Sequence, residues 1–200
     1  RRARIVQDVG EEALASSAQH LNQVIRQRLG RGIERFSGGK EEILLAQDNI
    51  STTYDNLGMY EEALALKREI YTGWIRLSGE RDEQTFRAAS NLALVLSRRL
   101  QHKVEAKELL RKVLPLSRRV QGDDDLQTLK MQLTYGDCLA TALDATPEDF
   151  LEAEKLLDTV ERRYRRIFGE NHPFTTQCQD RLRRARVMAH NARVMAEQFG

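Results

Sequence analysis

The sequence predicts an all-α solenoid, a stack of helical hairpins, and three observations carry that prediction. Charged residues make up 31% of the 200 and apolar ones 40%, with three prolines and one tryptophan, which is the profile of amphipathic helices rather than of sheet or disorder. Gly79, Gly122 and Gly169 are each followed six residues later by Thr85, Thr128 and Thr175, and the same offsets of 43 and then 47 carry Ala63 to Ala106 to Ala153. Leu66, Leu109 and Leu156, then Ile70, Val113 and Val160, then Leu77, Val120 and Ile167 obey the same two offsets. Self-similarity at this period marks repeats that stack. Within each unit lie two apolar-periodic segments of about 17–20 residues, each about 25–30 Å long as a helix.

In chain order, residues 1–40 read as an N-terminal helical segment with a degenerate half repeat. An offset of 41 places Ile25, Leu29, Ile33, Phe36 and Gly38 under Leu66, Ile70, Trp74, Leu77 and Gly79, while Gly30 and Gly32 weaken that helix by about 1 kcal/mol each relative to alanine. Ahead of it, Ile5, Val6 and Val9 lie on an apolar stripe. An array whose end has no polar cap needs something to cover it, so this stripe is expected to dock on a partner subunit or an upstream segment.

Residues 41–176 hold three repeats, at about 41–81, 82–124 and 125–171, each a helix A and a helix B. In the first, Leu45, Ile50 and Tyr54 mark the inward stripe of helix A, and Leu64, Leu66, Ile70, Trp74 and Leu77 that of helix B. A glycine just past a helix end adopts the left-handed conformation that satisfies the last carbonyls, which suits Gly79, Gly122 and Gly169. The acids that follow them, Glu80, Asp123 to Asp125 and Glu170, suit the next helix N-terminus. Ser51, Ala93 and Gly136 face Ala63, Ala106 and Ala153, because closely crossing helices need small residues at the contact. The third repeat is four residues longer, with Thr146 placed as N-cap and Pro147 at the first helical position. Residues 172–200 are expected to form a C-terminal capping helix carrying Leu182, Ala185, Val187, Met188 and Ala192.

Composition excludes more than it selects. Lysine and arginine total 32 against 30 acids, a balance of +2, so no global field draws the chain to nucleic acid or an anionic membrane. Cys138 and Cys178 are far apart and neither sits in a CxxC pair, which argues for buried thiols rather than a disulfide framework or zinc site. No apolar run approaches the roughly 18 residues of a membrane span. The chain begins at Arg1 rather than methionine, which leaves room for an upstream targeting segment or domain.

The stretches Asn49-Ile50-Ser51-Thr52-Thr53-Tyr54, Leu57-Gly58-Met59-Tyr60-Glu61-Glu62-Ala63, Asn91-Leu92-Ala93 and Gly169-Glu170-Asn171-His172-Pro173-Phe174-Thr175 resemble the long tetratricopeptide repeat of kinesin light chains, in particular the expanded sets of algae and related protists. The resemblance covers residues 41–176. It implies a right-handed superhelix of tetratricopeptide hairpins, with helix A of each repeat lining a concave groove for an extended peptide or a partner's helix. Repeat 3 departs from the pattern with Thr134-Tyr135-Gly136, and His102-Lys103 stands where a glycine turn is expected. Repeat type predicts a manner of binding, not a partner.

Helical spacing from Ser51, Ala93 and Gly136 gives the concave residues: Asp48, Asn49, Thr52, Asp55 and Asn56 in repeat 1, Arg87, Asn91 and Arg98 in repeat 2, and Lys130, Thr134, Asp137 and Thr141 in repeat 3. An asparagine amide both donates and accepts, so Asn49 and Asn91 can hold a peptide backbone whatever its side chains. This reads as a non-catalytic scaffold binding a protein partner, as a subunit of a larger complex. The alternative is an adaptor for RNA or an anionic membrane surface through the arginine-rich C-terminal face, Arg162, Arg163, Arg166, Arg183 and Arg184. Acids nearby, Glu152, Glu154, Asp158 and Glu161, and the lack of interleaved aromatics weigh against that alternative. No catalytic residue, cofactor site or metal site is expected: His20, His102, His172 and His190 lie in separate segments, and no phosphate loop or nucleophile elbow occurs.

Overall fold

The computed structural model describes residues 39–199. The chain divides into two compact units, residues 1–45 and 46–200, and the second carries the stacked helices. Seven α-helices and one 3₁₀ turn make up the described residues, with no strand among them: α1 (Lys40–Asn56), α2 (Tyr60–Ser78), α3 (Glu83–Ser97), the turn Leu100–His102, α4 (Lys103–Gln121), α5 (Leu126–Thr141), α6 (Pro147–Phe168) and α7 (Pro173–Phe199). The degenerate half repeat and the stripe at Ile5, Val6 and Val9 lie outside the described residues.

Consecutive helices pack on one another from α2 through α7. In addition α3 touches α5 and α5 touches α7, so these helices A form a continuous inner row. The result is an all-α solenoid of helical hairpins.

The Gly-to-Thr spacing has a direct cause. Each glycine takes a positive φ, 88°, 96° and 88° for Gly79, Gly122 and Gly169, with ψ between 166° and 172°. This is not the left-handed helical conformation expected from the sequence; it is an extended positive-φ state that only glycine occupies without strain. It turns the chain sharply, and the threonine six residues on reaches back: Thr85 and Thr175 each donate their hydroxyl to the carbonyl of Gly79 and Gly169 at 2.8 Å. Thr128 instead pairs with the Ser117 hydroxyl at 2.7 Å. All three threonines are buried, so each hydroxyl needs its partner.

Helix starts follow the sequence signals. Asp82 accepts from the Gln84 N–H at 2.9 Å and Asp125 from the Thr128 N–H at 2.9 Å. Thr146 and Asp149 form a reciprocal capping box that spans Pro147, the first residue of the helix. The small-residue column closes the hairpins. Ser51, Ala93, Ala63, Ala106 and Ala153 are fully buried, and a Cβ on Gly136 would lie 2.6 Å from Leu157 Cγ.

Not every matched column is buried. Trp74, Ser117 and Tyr164 share one and are all enclosed, whereas Leu77, Val120 and Ile167 are 37%, 51% and 44% exposed. Leu45 is 40% exposed as well, and Leu66 is half-buried. These residues stand outside the inward stripes to which the sequence assigned Leu45, Leu66 and Leu77, because a shared column marks an equivalent position and not an equivalent degree of covering. Pro115 lies on the exposed side of α4, which runs through it without a break.

Candidate functional site

A cleft of about 540 Å³ opens between α3, α5 and α7 on the helix-A side. Its walls are Asn91 and Leu94 from α3 with Arg98 just past its end, Lys130, Leu133, Thr134 and Asp137 from α5, and Phe174, Gln177 and Arg181 from α7, with Tyr164 of α6 behind. Five residues expected in the groove therefore converge here: Asn91, Arg98, Lys130, Thr134 and Asp137. Asp48, Asn49, Thr52, Asp55, Asn56, Arg87 and Thr141 do not line it.

Several of those polar residues tie the repeats together. Asp48 receives Lys67 Nζ at 2.8 Å and the Asn91 amide at 3.4 Å. Asp55 pairs with Arg98. Lys103 reaches both Asp137 at 3.2 Å and the Thr141 hydroxyl at 2.6 Å. Asn49 and Thr52 are exposed, and the Asn49 carbonyl accepts the Thr53 hydroxyl within its own helix.

The cleft also holds donors that these bridges leave over. Tyr164 is fully enclosed, and its hydroxyl has no hydrogen-bond partner; burial pushes its pKa up, so it stays a protonated donor. Lys130 rests its ammonium 5.5 Å above the Phe174 ring, and Arg181 makes one long bond, 3.5 Å, to the Leu133 carbonyl. Sequence reasoning did not place Arg181, Phe174 or Tyr164 in the site. The signal for Arg181 was present: the 47-residue offset that relates repeat 3 to α7 carries Thr134 to Arg181.

The arginine face differs. Arg162 stands 3.0 Å from Asp158, Arg163 3.4 Å from Asp124, Arg166 2.5 Å from the same Asp124, and Arg184 3.6 Å from Asp137, while Arg183 pairs with Asp180. Exposed pairs of this kind add little stability, but they neutralise the face locally. The acids of the Gly122 loop, read from the sequence as capping residues, supply part of that neutralisation; only Asp125 caps the helix.

Among the described residues no group of three or more His, Cys, Asp or Glu is placed to hold a metal, and no helix is long and apolar enough to cross a membrane. Cys138 and Cys178 are buried free thiols, both pushed up to about 12 by burial.

Together the hairpins, the glycine punctuation and the inner row of helices A define a tetratricopeptide-repeat solenoid. Residues 85–126 match the family model of the tetratricopeptide repeat. Among solved structures the chain is similar to a kinesin light chain from Podosopora anserina with nearly identical TPR-like repeats. That likeness has a TM-score of 0.60 at 18% identity and covers 92% of each chain; a variant of the same protein gives 0.61. It is also similar to BtubC (BKLC) from P. vanneervenii, with a TM-score of 0.60 at 14% identity over 91% of this chain and 74% of that one. The chain thus has the fold of these repeat proteins, and one of its repeats matches the tetratricopeptide model. No curated protein matches its sequence.

Proposed function

We propose that the chain is a protein-binding scaffold whose ligand, a peptide segment or helix of a partner protein, lies in the cleft between α3, α5 and α7. The observation that carries this reading is the set of donors left over in a groove otherwise closed by internal pairs: the Tyr164 hydroxyl, which has no partner, with Lys130 and Arg181 beside it. A buried hydroxyl without an acceptor is costly, and beside it Lys130 and Arg181, both only half-buried, can donate to a peptide carbonyl entering the cleft. Leu94, 40% exposed, and Phe174 offer apolar surface next to these donors, and the Asn91 amide can hold backbone from the side. Arrays of this class serve protein interaction in general, and membership of a larger complex through Ile5, Val6 and Val9 belongs to the same reading.

The test is capture of partners from the native source with the unaltered chain and with Asn91→Ala/Lys130→Ala. These residues are only half-buried, so the variant should fold and lose partners. An unchanged set of bound proteins would place the binding elsewhere. The alternative, nucleic acid or anionic lipid on the arginine face, predicts binding to RNA or phosphatidylserine vesicles that collapses as salt rises. The local carboxylates favour no such binding.

A further inference from the structure

Most charges of the cleft between α3, α5 and α7 are matched within the chain. Asp137 is the one acid lining it, and its carboxylate is held by Lys103 at 3.2 Å and Arg184 at 3.6 Å. Arg98 is held by Asp55. Lys130 and Arg181 pair with no carboxylate among the described residues: the first has only the Phe174 ring beneath its ammonium, and the second only its long bond to the Leu133 carbonyl. Both are half-buried.

Their placement follows from the repeat. The 47-residue offset that carries repeat 3 onto α7 sets Gln177 level with Lys130 and Arg181 level with Thr134. The bond from Arg181 to Leu133, the neighbour of Thr134, fits that register. The two cations thus approach from the facing walls of α5 and α7, with one helical turn, about 6 Å, between their levels. Gln177 lies one turn before Arg181 on the same face of α7 and lines the cleft with it. Behind them burial keeps the Tyr164 phenol protonated, so it adds no negative charge. Two like charges held this close away from bulk water raise each other's energy, and an anion between them lowers it.

The donors set the kind of anion. An ammonium and a guanidinium present N–H groups in several directions, and the Gln177 amide adds its own. A carboxylate offers two oxygens in one plane. A phosphate monoester offers three terminal oxygens on a tetrahedron and a charge of about −1.5 to −2, which matches the two cations and reaches donors on both walls at once. Arginine takes such a group bidentately.

We infer that the partner segment held in this cleft carries a phosphorylated serine or threonine, its phosphate seated between Lys130, Gln177 and Arg181. This rests on the reading of the cleft as the peptide site. It makes the interaction switchable from the partner's side: adding or removing one phosphate there decides whether the segment is held.

Fluorescence polarisation of the full chain against three degenerate peptide pools tests this. The pools are identical except for one fixed central residue, which is phosphoserine, serine or aspartate. The phosphoserine pool should bind more tightly than either of the others by about tenfold or more. Lys130→Met/Arg181→Met should remove that preference. Equal binding of the phosphoserine and serine pools, or of the phosphoserine and aspartate pools, overturns the inference, as does a lack of binding by all three. A double variant that keeps the preference overturns it too, since the phosphate then sits elsewhere, as on the arginine face. Should the double variant not fold, inorganic phosphate decides the matter: at constant ionic strength it should displace the phosphoserine pool from the unaltered chain, and equal displacement by chloride would overturn the site. Partner capture separates the two readings. If partners from the native source are still held after phosphatase treatment of the extract, yet are lost by Asn91→Ala/Lys130→Ala, the scaffold stands and the phosphate inference falls.

Discussion

Replacing Gly136 by alanine isolates the contact that closes the third hairpin. The added Cβ would lie 2.6 Å from Leu157 Cγ, 2.7 Å from Cδ2 and 3.3 Å from Cδ1. Leu157 is fully buried, and the nearest atom is its branch carbon rather than a movable methyl, so either its rotamer changes or α5 and α6 separate. Overpacking of this kind costs about 1–3 kcal/mol. Alanine regains about 1 kcal/mol over glycine within a helix. The net loss is about 0–2 kcal/mol, and the directness of the clash favours the upper half. At about 2–4 °C per kcal/mol for a chain of this size, the melting temperature should fall by several degrees. The same change in a Leu157→Ala background removes all three clashing carbons, so glycine to alanine there should stabilise by about 1 kcal/mol. Leu157→Ala itself costs about 2–5 kcal/mol. Thermal unfolding of the four proteins in this cycle shows whether the sign reverses. If Gly136→Ala stabilises equally in both backgrounds, the close approach of α6 to α5 is not what requires glycine, and the small-residue column loses its explanation.

Other expectations follow from the same packing. Ala106→Leu should loosen the second hairpin, since Ala106 has no exposed surface; overpacking there costs about 1–3 kcal/mol, read as a lower melting temperature. Thr85→Val keeps the shape of the side chain and removes its hydrogen bond to the Gly79 carbonyl, at a cost of about 0.5–1.5 kcal/mol in denaturant unfolding. Lys107 joins Asp144 at 2.7 Å and Asp149 at 3.2 Å. The hydrogen bond from Lys107 holds the Asp144 carboxyl below its usual range, so its contribution is complete above the ordinary carboxylate pKa and is lost as pH falls through the lowered value. Asp144→Asn should therefore be less stable than wild type near pH 7, and the gap should close below about pH 4; a gap independent of pH would mean that the pair contributes nothing. Burial alone would lower the Lys107 pKa, but its two carboxylate partners outweigh burial and raise it, so its share of stability is lost only as pH rises through that raised value.

Helix class, repeat period, glycine turns and the Thr146–Pro147 start were legible because each depends on residues close in the chain. Periodicity reports the faces of one helix, and a cap reports one helix end. Which face meets a neighbour depends on segments some 40 residues away. That is why Leu77, Val120 and Ile167, equivalent in sequence, are all exposed at the surface. It is also why Asp48 and Asp55, evenly spaced along a groove on paper, are spent on Lys67 and Arg98. The cleft itself needed Arg181 and Phe174 of α7 and Tyr164 of α6 brought against Lys130 and Asn91, an arrangement that exists only once the inner helices stack. The sequence alone determined that this protein is a series of hairpins with small residues at their crossings, since backbone conformation and side-chain volume are local properties. The tertiary structure decided which polar groups pair across the repeats and that the Tyr164 hydroxyl stays without a partner, because hydrogen-bond satisfaction and burial are properties of pairs of surfaces.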